Sequence, residues 1–240
     1  MSDTIFVAGA SGAIGRRLCP LLIKDGWTVI GTTRSAEKSS ILRVLGVQPV
    51  VVDAFDRDAL ISVVREAKPS VVIHQLTDLP FALDASRMAH ARVRNARLRE
   101  EGTRNLVSAS LEAGVRRVVA QSIAFAYAPG PRPYTEVSPL NTCDAEGGLT
   151  ARAVESLERQ ILEGPFVGIV LRYGKLYGPG TGFENPAKDG PVHVDAAADA
   201  ARLAVTLGTE GIYNVAEEDG MVSSRKAVSD LGWNPSYRYQ

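Results

Sequence analysis

The stretch that decides the fold reads Val7-Ala8-Gly9-Ala10-Ser11-Gly12-Ala13-Ile14-Gly15, set between an apolar run, Thr4 to Gly9, and a helically spaced segment, Ile14 to Lys24. A first strand that turns through glycines into a first helix is the opening of a dinucleotide-binding unit. The glycines are spaced three and three. Gly9 lets the chain turn sharply, Gly12 lets the backbone approach a pyrophosphate, and Gly15 lets the helix pack close to its strand. Ser11, Ala13 and Ile14 complete the turn, where free N–H groups and the positive end of the helix dipole meet the phosphates.

Outward from this turn the chain alternates. Strands are expected at Thr28–Thr33, Val47–Val52, Ser70–His74, Arg117–Ser122 and Val167–Tyr173. Helices are expected at Ile41–Leu45, Arg57–Ala67, Ser86–Ala113 (stopped by Gly114) and Leu149–Leu162. Continuous Val and Ile runs imply strands covered on both faces, and the alternation implies right-handed crossovers. The expected fold is α/β, a Rossmann doubly wound parallel sheet with helices on both faces, as one domain over residues 1–240. The long loops Ala128–Gly148 and Gly178–Pro191 follow C-terminal strand ends, where such sheets bind ligands.

Composition narrows the function. Lys+Arg and Asp+Glu both number 27 in 240 residues, so no net field recruits nucleic acid or an anionic membrane. The two cysteines, Cys19 and Cys143, have no metal-ligand spacing, so neither a metal site nor a disulfide framework is expected. With no apolar run long enough for a span and no charged leader, the expected location is the cytoplasm. The second strand ends Thr33-Arg34, with no acid where NAD-specific sites carry one for the ribose 2′-hydroxyl. A guanidinium there favours a 2′-phosphate, so NADP(H) is the expected cofactor, with NAD left open.

With these residues read, the chain resembles the extended or atypical short-chain dehydrogenase/reductases, the NAD-dependent epimerase/dehydratase family. The resemblance also runs through Val52-Asp53-Ala54-Phe55-Asp56, Val71-Val72-Ile73-His74-Gln75-Leu76, Gly102-Thr103-Arg104-Asn105-Leu106, Leu171-Arg172-Tyr173-Gly174-Lys175-Leu176-Tyr177-Gly178-Pro179-Gly180 and Leu231-Gly232-Trp233-Asn234-Pro235. It implies that Asp53 and Ala54 lie by the adenine and that Gln75, Leu76, Gln121 and Tyr173 line the cofactor. It also implies a small C-terminal substrate lobe from about 174–192 and 211–240.

The chain departs from the family in its acid–base residues. Family enzymes carry Tyr-x-x-x-Lys on the helix after the fifth strand. Aligned on Glu158, this chain has Thr150 and Val154 there, and none of its six lysines has a Tyr four residues before it. Aligning Tyr127 puts Ile123 at the usual Ser/Thr position, with Ser122 one before. The remaining catalytic candidates are Ser122, Tyr127 and Lys175, with a packed aromatic as the plainer account of Tyr127. His74 is expected in the core, and His193 beside the substrate or in a structural role. The arginines 87, 92, 94, 97, 99 and 104 are expected on a solvated helix face or dimer contact, which leaves a homodimer open. Only Thr181–Pro191 separates the Gly-Pro-Gly turn from Val192-His193-Val194-Asp195, so a compact small-molecule substrate is expected. The leading expectation is an NADP(H)-dependent oxidoreductase for a small carbonyl, alcohol or alkene. The alternatives are a non-catalytic NADP(H) sensor and an epimerase or dehydratase.

Overall fold

Runs such as Ile5-Phe6-Val7 and Val71-Val72-Ile73 offer water no polar face, so their strands must be covered on both sides. The computed structural model, which describes residues 3–144 and 147–239, shows how. In chain order the elements are β1 (Thr4–Ala8), α1 (Ala13–Lys24), β2 (Thr28–Thr33), α2 (Ala36–Val44), β3 (Gln48–Val51), α3 (Arg57–Ala67) and β4 (Val71–His74). There follow α4 (Ala85–Arg97), a π-helical turn at Leu98–Gly102, α5 (Thr103–Glu112), β5 (Arg117–Ile123), α6 (Gly148–Leu162) and β6 (Val167–Tyr173). The chain closes with β7 (Lys175–Tyr177), β8 (Pro191–His193), α7 (Val194–Leu203), β9 (Gly211–Val215) and α8 (Arg225–Leu231).

Among the described residues, seven strands form one parallel sheet in the order β3-β2-β1-β4-β5-β6-β9. The order reverses between β1 and β4, so crossovers leave in opposite directions and open a crevice above the C-terminal strand ends. Side chains alternate across the sheet. Ile5 and Val7 face Leu18 and Leu22 of α1 and the alanines of α7. Phe6 and Ala8 face Leu60 of α3, Leu106 of α5 and Leu157 of α6.

The differences from the expected elements have local causes. The piece expected at Ile41–Leu45 begins earlier, as α2, because the Ser35 side chain caps it by accepting from the Lys38 N–H. The single helix expected over Ser86–Ala113 is α4 and α5 joined by the π-helical turn, and Gly114 at φ +69° follows its end. Gly211–Val215 is a strand of the main sheet, and Tyr213, Leu231 and Trp233 are buried in its core. Outside that sheet stand the parallel pair β7–β8 and a small cluster of Ala124, Tyr127, Ala216 and Val222. No helix among the described residues is long and apolar enough to cross a membrane.

Candidate active site

The glycine turn is shaped as its sequence requires. Gly9 has φ +89°, and a Cβ there would lie 2.5 Å from the Gln75 carbonyl oxygen. A Cβ on Gly15 would lie 2.5 Å from the carbonyl oxygens of both Gly9 and Ala10. Gly12 differs: the sole neighbour within 4 Å of its missing Cβ is the Gly9 carbonyl oxygen, at 3.3 Å. Gly12 is exposed, and helix α1 starts from it with no side-chain cap. Those N–H groups, from Ala13 onward, face open space above the switch point, a cradle that fits a pyrophosphate. Ser11 Oγ donates to Thr33 Oγ1 (3.4 Å) and the Gly9 N–H to Thr32 Oγ1 (3.1 Å), tying the turn to β2.

At the end of β2, Thr33 Oγ1 also accepts from the Ser35 N–H, and Arg34 is exposed. Arg34 pairs with Asp78 at 3.1 Å, and Arg94 pairs with the other oxygen of the same carboxylate at 3.1 Å. Burial raises the Asp78 pKa, but the two guanidiniums outweigh it and hold the group below the usual carboxylate range. Two cations thus share one anion. Asp53 is exposed at the end of β3, its carboxylate accepting from the Phe55 N–H, while Ala54 is buried and its carbonyl accepts from Asn105 Nδ2.

At the centre of the crevice the α1 face of the sheet presents Gln75, Gln121 and Tyr173. Gln75 Nε2 donates to the Tyr173 hydroxyl (3.3 Å), and Gln121 Nε2 donates to the Leu76 carbonyl (3.0 Å). Gln75 Oε1 is buried with no hydrogen-bond partner among the described residues.

The α6 face is closed on itself. Glu158 accepts from Ser122 Oγ (2.6 Å), Arg172 Nε (2.8 Å) and Arg172 Nη2 (2.6 Å). Arg172 Nη1 donates to the Tyr127 hydroxyl (3.1 Å), which donates to Asn214 Oδ1. All five side chains are buried. Burial alone would lower the Arg172 pKa; the Glu158 carboxylate more than reverses this. Burial also raises the Tyr127 pKa, against the pull of Arg172. The structure therefore brings Ser122 and Tyr127 together, but with both hydroxyls already donated. Lys175 stands apart, its ammonium donating to the Lys188 carbonyl (3.0 Å). On α6, Thr150 is half-buried and Val154 fully buried, one turn before Glu158.

His74 is buried at the end of β4, with Nε2 2.9 Å from Thr103 Oγ1. Burial, and then the nearby Arg99 charge, lower its pKa to about 4, so it is neutral at pH 7. His193 caps α7, its Nδ1 accepting from the Asp195 N–H (3.2 Å). The arginine run is mixed. Arg94 and Arg97 hold surface ion pairs, whereas Arg99, expected on a solvated face, is 6% exposed. The π-helical turn sets it inward beside Leu98 and Gly102. The partners Asp78, Arg172, Asn214 and the buried Arg99 were missed from sequence. An Arg within the apolar strand Val167–Tyr173 is the one signal that could have found the buried pair.

A family model described as the NAD dependent epimerase/dehydratase family matches residues 5–208, from β1 to just beyond α7. The chain belongs to this family. A 3-diazoavenalumate denitrifying reductase from a Streptomyces species is 39% identical over 97% of this chain and 80% of its own length. A dTDP-4-dehydrorhamnose reductase from Streptomyces griseus is 30% identical over 72% of the chain, which spans half of that protein. Among solved structures, UDP-glucose 4-epimerase from Thermotoga maritima superposes with TM-score 0.78 at 19% identity, covering 98% of this chain and 94% of that one. The NAD complex of the Thermus thermophilus UDP-glucose 4-epimerase gives 0.77 at 21%, over 98% and 95%. At such identities the epimerases share the fold of this family member, and its named sequence relatives are reductases.

Proposed function

We propose that this family member is an NADP(H)-dependent reductase that delivers hydride to a small organic acceptor whose reduction draws no proton from the protein, a diazonium compound being the acceptor class. The observation that carries this reading is the closed α6 face. The hydroxyls of Ser122 and Tyr127 are donated to Glu158 and Asn214. The alignment on Glu158, which puts Thr150 and Val154 where the resemblance expects the acid–base pair, supports the same reading. A carbonyl acceptor would end as an alkoxide and need a proton donor there. A diazonium carbon needs none. When bound, reduced nicotinamide supplies a hydride. At a diazonium carbon the new C–H bond takes the hydride's electron pair, the C–N bond breaks, and its electrons leave with N2. The 39% identity to a denitrifying reductase supports the same class.

The residues divide the remaining work. Gly9, Ser11, Gly12, Ala13, Ile14 and Gly15 hold the pyrophosphate, Asp53 and Ala54 border the adenine, and Thr33 with Arg34 receives the 2′-phosphate. Gln75, Leu76, Gln121 and Tyr173 orient the nicotinamide end. Ser122 and Tyr127 position this wall and exchange no proton, and Lys175 fixes the loop between β7 and β8. The test is a panel of a benzenediazonium salt, benzaldehyde and a small enone, followed with NADPH by loss of nicotinamide absorbance. The diazonium should turn over above its uncatalysed rate. Thr150→Ala and Tyr127→Phe should each retain turnover within tenfold, below about 1.4 kcal/mol of barrier. Turnover confined to the carbonyl substrates, lost in either variant, would overturn the reading.

A further inference from the structure

We propose that Arg99 is a substrate-binding residue, its guanidinium receiving a carboxylate of the acceptor on the α6 side of the crevice. The proposal rests on the reductase reading and names the substrate's second functional group. Arg99 is 6% exposed, yet it makes no hydrogen bond or ion pair with any described residue. The charges it faces are already engaged. Glu158 bears on Arg99 through space, but its oxygens are taken by Ser122 and Arg172. His74, the other titratable neighbour, is neutral at pH 7 and bound to Thr103. Burial lowers the Arg99 pKa to about 10, which leaves the group charged at neutral pH. A buried cation without a partner is unfavourable, and an arriving anion reverses that. The planar fork of a guanidinium matches a carboxylate with two parallel hydrogen bonds.

Placement favours the acceptor over the cofactor as the source of that anion. Arg99 belongs to the face of the sheet covered by α5 and α6, beside His74 at the end of β4. The pyrophosphate cradle lies at α1, on the opposite face. The π-helical turn holds this position, with Gln160 Nε2 of α6 donating to the Glu100 carbonyl at 3.2 Å. π-Helical turns of this kind recur at functional sites.

The probes are cinnamate and cinnamamide, titrated by calorimetry into the wild-type protein loaded with NADP+. Cinnamate should bind at least tenfold more tightly than the amide. Arg99→Met should erase that preference while NADP+ affinity stays within twofold, and Arg99→Lys should keep part of it. Equal affinity of the two probes for wild type, no cinnamate binding, or an undiminished preference in Arg99→Met would each overturn the proposal. Where Arg99→Met does not fold, the wild-type contrast and Arg99→Lys decide. Failure of wild type to bind NADP+ would instead sink the reductase reading, and this proposal with it.

Discussion

At the β1–β2 end of the crevice, Gly12 has a single carbonyl near its missing Cβ and α1 begins without a side-chain cap. At the β5–β6 end, Ser122, Glu158, Arg172, Tyr127 and Asn214 are bound to one another. The first region leaves the N–H groups at the start of α1 without a side-chain partner. The second spends its polar groups on holding β5, β6, β9 and α6 together, with Glu136 joining through its backbone to Arg172 and its carboxylate to the Asn214 N–H. Two polar clusters on one sheet edge thus do different work, and what separates them is whether the partners are already present.

The sharpest way to break this comparison is to damage each region and read both stability and binding. Glu158→Ala strands the buried Arg172 charge and should destabilise the fold by about 3–5 kcal/mol in urea unfolding, with NADPH affinity of the folded fraction nearly unchanged. Gly12→Val should do the converse: dinucleotide affinity falls by roughly a thousandfold, about 4 kcal/mol, at near wild-type stability. A Glu158→Ala protein of normal stability would remove the distinction.

His74 sharpens the contrast through pH. The folded protein takes up its proton near pH 4, the unfolded chain near 6.5. The neutral form's contribution is therefore complete above pH 6.5, is lost as the pH falls towards 4, and changes no further below that. The loss is on the order of 3 kcal/mol. His74→Gln should flatten the wild-type unfolding midpoint between pH 6.5 and 4, and identical slopes for the two proteins would contradict the assignment.

Much of this was legible in the sequence, for physical reasons that also mark where legibility stops. β2, α3 and β6 have the same bounds in the chain and in the structure because apolar runs meet clear stops. Gly9 and Gly15 could be read because a turn and a close packing each exclude a side chain locally. Asp78 could not: it lies 44 residues beyond Arg34, and no local pattern ties them. Arg99 looked like one more surface charge, because the helical period places it outward and the π-helical turn moves it in. The Ser122–Glu158–Arg172 contacts join three elements and form once the sheet is built.

Cofactor choice gives the smallest expected effect. Asp78 already engages Arg34, so a 2′-phosphate gains part of a charge-assisted contact and not the whole. Arg34→Ala should narrow the preference for NADPH over NADH by roughly tenfold, about 1.4 kcal/mol, in paired titrations. Equal affinities in the unmutated protein would refute the NADP(H) assignment.

The most direct measurement of the central claim uses NADPH deuterated at the transferring C4 position with a benzenediazonium salt. The enzyme should release N2 and place deuterium at the carbon that lost it, and the same reaction with unlabelled NADPH in D2O should leave that carbon bearing protium. Deuterium taken from the solvent, or a labelled-product rate no faster than without enzyme, would contradict hydride delivery at this site.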